Sequence, residues 1–330
     1  MTIAAQNIPI TGVSEARSRA GEAWGRLLRK PLPLISLIVV VIYVFVGVLS
    51  FSKFVENRID TPVAGEKTFA PPAFFAMRAD GTRAISPERW CGLDIEGRSV
   101  LWQVCYGTRI ALLIMICTSV LSISIGTVLG LLAGYFGGWV DDLIIWLYST
   151  VSSVPWLLLV IAMAYVIQNL QSMNSNTQLA KLCDELGGLP TVVIALGLTD
   201  WVGLCRLIRG EVIKLRDQDF VVAARAVGLG GRRIMTRHIL PNTFHIVLIT
   251  FSLSSVGYVQ AETVLAFLGL GITTKPSWGK MIDDSRLELL QGVWWQFAAA
   301  TVAILVLCLA LNVVGDALRD ALDPKLHGVK

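Results

Sequence analysis

The chain has 330 residues, of which 54% are hydrophobic and only 16% charged, with a formal net charge of +4. A soluble domain carries roughly a quarter charged residues, so this composition excludes an ordinary fold in water. Crossing a hydrocarbon core about 30 Å thick takes roughly 20 apolar residues, and six stretches are long enough, near 32–51, 108–134, 140–167, 189–208, 243–268 and 293–315. The expectation is an all-α membrane protein with six transmembrane helices.

Residues 1–31 form a polar arm in which Trp24, Leu27 and Leu28 make a short apolar stripe suited to a membrane surface. The first span, 32–51, lacks a small-residue cleavage site and is too long for a signal-peptide core, so it reads as retained. An external segment, 52–107, follows; its first part, through residue 90, is irregular and includes Pro71-Pro72. A five-helix core occupies 108–315. On its first helix Gly126, Gly130 and Gly134 form a ridge that lets another helix approach closely. Residues 168–188 are a polar insertion with a short helix expected around Leu179–Leu186. The tail is 316–330.

Lys and Arg in short loops set the orientation. Eight basic residues between Arg206 and Arg237 face three acids, and the N-terminal arm adds Arg17, Arg19, Arg26, Arg29 and Lys30. Six spans put both regions on one side, which is therefore the cytoplasmic side, with both termini. The basic residues are split across loops without aromatic interleaving, so nucleic acid is not expected as a partner. The six cysteines form no metal-binding spacing. Cys91 and Cys183 both fall in segments placed outside, which leaves a disulfide or two separate thiols open.

Glu262 reads as the charged exception within the spans. An ionisable group there is either functional or a structural hydrogen-bond partner of Ser252, Ser254, Ser255 and Gln260. The structural reading is favoured.

The most telling stretch is Asp219-Phe-Val-Val-Ala-Ala-Arg-Ala-Val-Gly228, followed by Arg237-His-Ile-Leu-Pro-Asn242. It reads as a short docking helix. Asp219 is expected to cap its start. Phe220, Ala223, Ala224 and Val227 recur at helical spacing on one narrow face, with Arg225 on the flank. Two alanines there admit close approach of another protein. Gly228 is suited to the left-handed conformation that ends a helix.

This segment resembles the conserved cytoplasmic loop of ABC-importer permeases, whose pattern is Glu-Ala-Ala, three residues, Gly, nine residues, then Ile-x-Leu-Pro. Ala223-Ala224, Gly228 and Leu240-Pro241 fall in register, with Val222 in place of the Glu and His238 in place of the Ile. Further similarity, to the dipeptide/oligopeptide/nickel branch, runs through Gly92-Leu-Asp-Ile-Glu-Gly-Arg98, Tyr106-Gly-Thr-Arg-Ile110, Gly134-Tyr-Phe-Gly-Gly138, Glu262–Gly271, Pro276-Ser-Trp-Gly279 and Asn312–Pro324. The resemblance implies a coupling helix at 219–228 that docks on an ATPase subunit. Its implied partners are a second homologous permease, two ATPase subunits carrying ATP and Mg, an external substrate-binding protein and membrane lipid. Glu262 and Trp278 become the pore or gate candidates.

No catalytic residue, metal site or cofactor of its own is expected in this chain. The phosphate-cradling motif fails, because Thr274 stands where its first Gly is needed and Met281 follows Gly279-Lys280. The reading is a pore-forming subunit of a peptide importer. Nickel chelates or peptide antibiotics are alternative cargoes, and an ion-coupled secondary transporter is the competing class.

Overall fold

The computed structural model describes residues 30–63, 68–73, 87–173, 188–272 and 274–322. The stripe at Trp24–Leu28, the short helix around Leu179–Leu186, Cys183 with its pairing to Cys91, and the tail beyond residue 322 lie outside these. Among the described residues the architecture is helical throughout. Five helices are long and apolar enough to cross a membrane, or six if a pair bent by 90° counts as one span.

Helix α1 is Pro31–Leu49; Pro31 suits a first turn, whose amides have no helical partner anyway. Its outer surface, with Leu32, Ile38 and Phe45 exposed, is apolar in the manner of a lipid-facing helix. The Tyr43 hydroxyl donates to Ala303 O on the last helix at 2.9 Å. A short helix α2, Lys53–Ile59, leads into the external segment.

Helix α3, Val100–Phe136, is 37 residues long, so it extends about 55 Å and overruns the bilayer. The expected start at 108 is too late because Gln103, Tyr106 and Thr108 are buried by tertiary packing rather than by apolar sequence. Helices α4, Gly138–Ser152, and α5, Trp156–Met173, meet at 90° around Pro155, which has no amide proton to continue the ladder.

Helices α6, Leu189–Gly197, and α7, Trp201–Leu215, share one span interrupted at 198–200. The glycine ridge of α3 receives α7: a Cβ on Gly126, Gly130 or Gly134 would come within 2.8, 2.8 or 2.7 Å of Trp201 O, Cys205 O or Val212 Cβ. Arg209 of α7 donates Nη2–H to Asp141 of α4 at 2.7 Å and Nε–H to its other oxygen.

The stretch between Arg206 and Asn242, where one short helix at 219–228 is expected, is mostly helical. Helix α8 is Asp219–Ala226 and α9 is Gly231–Ile234. A π-turn, Met235–Ile239, joins α9 to α10, Leu240–Phe267, as one continuous rod. Helix α11, Trp278–Glu288, and α12, Trp295–Leu322, complete the chain.

Candidate functional site

Helix α8 sits at the end of the molecule where α3 finishes. Its first helical residue is Asp219, while Gln218 holds the cap position with extended backbone and no side-chain cap bond. Asp219 is therefore one residue inside the expected cap, where its charge still favours the helix N-terminus. The other end matches expectation. Gly228 takes φ +84°, its N–H donates to Arg225 O at 2.9 Å, and Leu229 N–H donates to Ala224 O at 3.1 Å. That bond pair is the left-handed stop that satisfies a helix's last carbonyls.

The structure divides the expected docking face. Phe220, Val222, Ala223 and Val227 are exposed, with Phe220 at 40% and Val227 at 81%. Ala224, at 8%, points the other way, beside Val221 at 0%. These two enter a cluster with Leu131 of α3, Leu204 and Ile208 of α7, Ile234 of α9, Ile239 of the π-turn that follows it and Val247 of α10. Ala224 is thus part of the mount of the helix, and Phe220, Ala223 and Val227 form the stripe it presents outward. The error arose because alanine and valine fill both faces, so periodicity alone could not say which one the spans would claim.

The mount of this helix of eight residues has polar contacts as well. The Arg225 guanidinium lies 5.3 Å from the Tyr135 ring centroid of α3, and Arg216 donates to Gly134 O at 3.1 Å. A displacement of α8 therefore reaches α3, α7 and α10 together.

At the opposite end, Glu262 and Trp278 are both buried. The Glu262 carboxylate accepts from the Ser277 hydroxyl and the Gly279 amide at the start of α11. The Ser277 hydroxyl also accepts from Lys280 N–H at 3.1 Å as the helix cap. These partners replace the expected Ser252, Ser254, Ser255 and Gln260. Trp278 donates from Nε1 to Val104 O of α3 at 3.0 Å. The segments Glu262–Gly271 and Pro276–Gly279 are thus two halves of one latch between α10, α11 and α3.

Other sequence signatures at this end are structural in the same way. Asp94 Oδ1 accepts from the amides of Glu96 and Arg98 at 2.9 and 2.7 Å, and Oδ2 accepts from Arg98 Nε and Gln103 Nε2 at 2.8 and 2.7 Å. Arg109 donates to Ser50 O just beyond α1, with its guanidinium 4.1 Å from the Phe51 ring centroid.

One residue escaped the sequence reading. Glu262 is not the lone carboxylate of the spans, because Asp200 stands at the break between α6 and α7. It accepts from the Tyr258 hydroxyl at 2.7 Å. The signal was present, an acid inside a 27-residue apolar stretch, but its many apolar neighbours averaged it away.

Taken together, the fold and site define a polytopic helical membrane protein carrying one short, solvent-facing apolar helix on a packed mount. Residues 126–328 match the model of the family described as binding-protein-dependent transport system inner membrane component. The chain belongs to this family, which bears out the resemblance to ABC-importer permeases. It is 30% identical over 307 residues to the dipeptide transport system permease of Bacillus subtilis, covering 93% of this chain and 86% of that protein. It is 29% identical over 339 residues to the oligopeptide transport system permease of the same organism, covering 98% and 99%. With the glutathione transport system permease of Pectobacterium atrosepticum it shares 32% over 242 residues, covering 73% and 74%.

Proposed function

We propose that this chain is one pore-forming permease subunit of an ATP-driven importer for peptides. The observation that carries this reading is the outward stripe Phe220, Ala223 and Val227, an apolar face left unmet on a helix whose other face is locked into the spans. Water gives no reason to display it, and a protein groove does. Support for a peptide cargo comes from the relatives, whose names specify dipeptides, oligopeptides and glutathione.

In this reading a second homologous permease completes the pore, and an external binding protein delivers substrate. Two ATPase subunits hold the ATP and Mg, while this chain has no cofactor of its own. Closure of the ATPases on nucleotide moves α8, and the mount carries that motion to α3, α7 and α10. Helix α8 and both termini then lie in the cytoplasm, where the positive-inside rule puts the Arg206–Arg237 region.

The test is Ala223→Asp in the complete transporter. A carboxylate in the middle of the docked face should release the ATPases, or leave hydrolysis running without uptake in vesicles, with the spans still folded. Full coupling in the variant would reject the docking role. For orientation, a cysteine at the exposed Ile95 should react with an impermeant thiol reagent in intact cells and one at Gly230 should not; the opposite pattern would invert the topology.

A further inference from the structure

Asp200, Tyr258, Ser254 and Ser122 meet in the middle of the membrane part. Tyr258 donates to Asp200 at 2.7 Å, Ser254 also faces that carboxylate, and Ser122 of α3 faces the Tyr258 hydroxyl. Three spans agree on the depth. Ser122 is near the centre of the apolar stretch of α3, Tyr258 is near the centre of that of α10, and Asp200 stands at the interruption between α6 and α7. Asp200 holds the cap position of α7 yet makes no side-chain cap bond. Its carboxylate is therefore not spent on its own helix.

The surface around it is partly open, with Gly203 and Gln260 set among exposed Leu198, Leu207 and Leu253. Asp200, Ser254 and Gly257 are half-buried, while Gly203 and Gln260 are exposed. A Cβ added at Gly203 or Gly257 would meet nothing within 4 Å. An accessible carboxylate facing hydrocarbon is costly, and such groups face a water-filled path or a partner. The break at Asp200 is slight, the amides of Leu198 and Asp200 still donating to Ile194 O and Leu196 O at 3.0 Å.

We infer that Asp200 is a cation subsite on the translocation path, taking an alkylammonium group of the passing substrate. The group is the amino terminus or a lysine side chain if the cargo is a peptide, which rests on the function proposed above. Tyr258 and Ser254 donate to the carboxylate and aim it. Their hydrogen bonds leave it partnered between turnovers, so an arriving ammonium adds an ion pair and need not rescue a bare charge. A structural pair alone would be served by an asparagine at this position, whose amide oxygen accepts from Tyr258 without burying charge. The acid is therefore informative.

The first measurement needs no knowledge of the cargo. In the assembled transporter, Gly203→Cys is labelled with cationic and anionic methanethiosulfonates, read at residue 203 by peptide mass. Residue 203 is one turn from Asp200. A unit charge about 6 Å away separates reagents of opposite charge by about tenfold even in water, favouring the cationic one. Asp200→Asn should collapse the ratio, and Asp200→Glu should keep it. An unreactive residue 203, or a ratio untouched by Asp200→Asn, overturns the inference.

The second measurement is uptake of a lysine-containing and a neutral peptide, both with free amino termini. The KM should rise at least about fivefold in Asp200→Asn, the worth of one unit-charge pair about 4 Å apart in water, while ATPase co-purification stays normal. A loss confined to the lysine peptide assigns the side chain, and an equal loss assigns the amino terminus. An unchanged KM for both overturns the substrate role. If wild type moves no peptide while the labelling ratio behaves as stated, the peptide reading falls and the cation subsite stands.

Discussion

The two ends of this molecule handle their interaction surfaces differently. At the Trp278 end, specific polar side chains are turned inward: Glu262 onto Ser277 and Gly279, Trp278 onto Val104, Trp295 onto Leu93, and Asp94 onto four donors. At the Tyr135 end, α8 is anchored through two buried side chains, Val221 and Ala224, and turns an apolar stripe outward. One end is braced against itself, and the other is braced in order to be pushed. Similar apolar content thus serves opposite purposes according to which face the spans have already taken.

The sharpest way to break this comparison is to swap the two alanines. Ala224→Asp buries an unpaired charge under α8 and should destabilise the membrane part by about 3–5 kcal/mol, seen as lost expression or aggregation in detergent. Ala223→Asp should leave that stability within about 0.5 kcal/mol, as for surface changes, while abolishing coupling. Equal instability in both would mean that α8 has no free face.

At the braced end, Trp278→Phe removes the indole donor to Val104 O and part of a fully buried side chain. The expected cost is about 1–3 kcal/mol, measured as a lower thermal midpoint of the purified complex. An unchanged midpoint would show that α11 is not latched to α3.

Glu288 of α11 gives a pH test. Burial first, then the nearby Asp94 and Asp284 carboxylates, push its carboxyl up to about 7. Folding thus favours its protonated form, so this contribution is complete at pH below the unfolded value and is lost as pH rises through about 7. Glu288→Gln should match wild type near pH 5 and exceed its thermal midpoint near pH 8, a difference that scanning calorimetry in detergent would resolve. Parallel curves for the two proteins would refute the assignment.

The smallest effect is expected for Glu262→Gln. The amide oxygen still accepts from Ser277 and Gly279, and Oε1 has no hydrogen-bond partner to lose. Uptake should stay within about twofold, a change below about 0.5 kcal/mol. Abolished uptake with normal assembly would show that the ionised group is required.

What the sequence disclosed, and what it hid, follows the range of the forces involved. The existence of α8 and its stop at Gly228 are local matters of spacing and backbone freedom, and both were legible. So was the glycine ridge, because only small residues let α3 and α7 approach to backbone distance. The inward side of α8 was hidden, since Val221 is chosen by Leu204, Ile208 and Val247, which are distant in sequence or on other helices. Asp200 was hidden for the opposite reason: one acid barely alters the mean of an apolar window, however much it alters the chemistry. The upper end of α3 was hidden because Gln103, Tyr106 and Thr108 are polar by composition and buried only by their neighbours.

The π-turn at Met235–Ile239 has a mechanical meaning. It keeps Gly231–Phe267 a single rod, and the buried Tyr258 hydroxyl ties that rod to the α6–α7 break. At 1.5 Å per residue, the arm from Tyr258 to Gly231 is about 40 Å and the arm to Phe267 about 14 Å. Tyr258 thus stands nearer the Trp278 end, where Glu262 is held against Ser277 and Gly279. In the proposed cycle, a rod unbroken at the turn would hand a push at the Tyr135 end on to those braced contacts, where a kinked pair would absorb it.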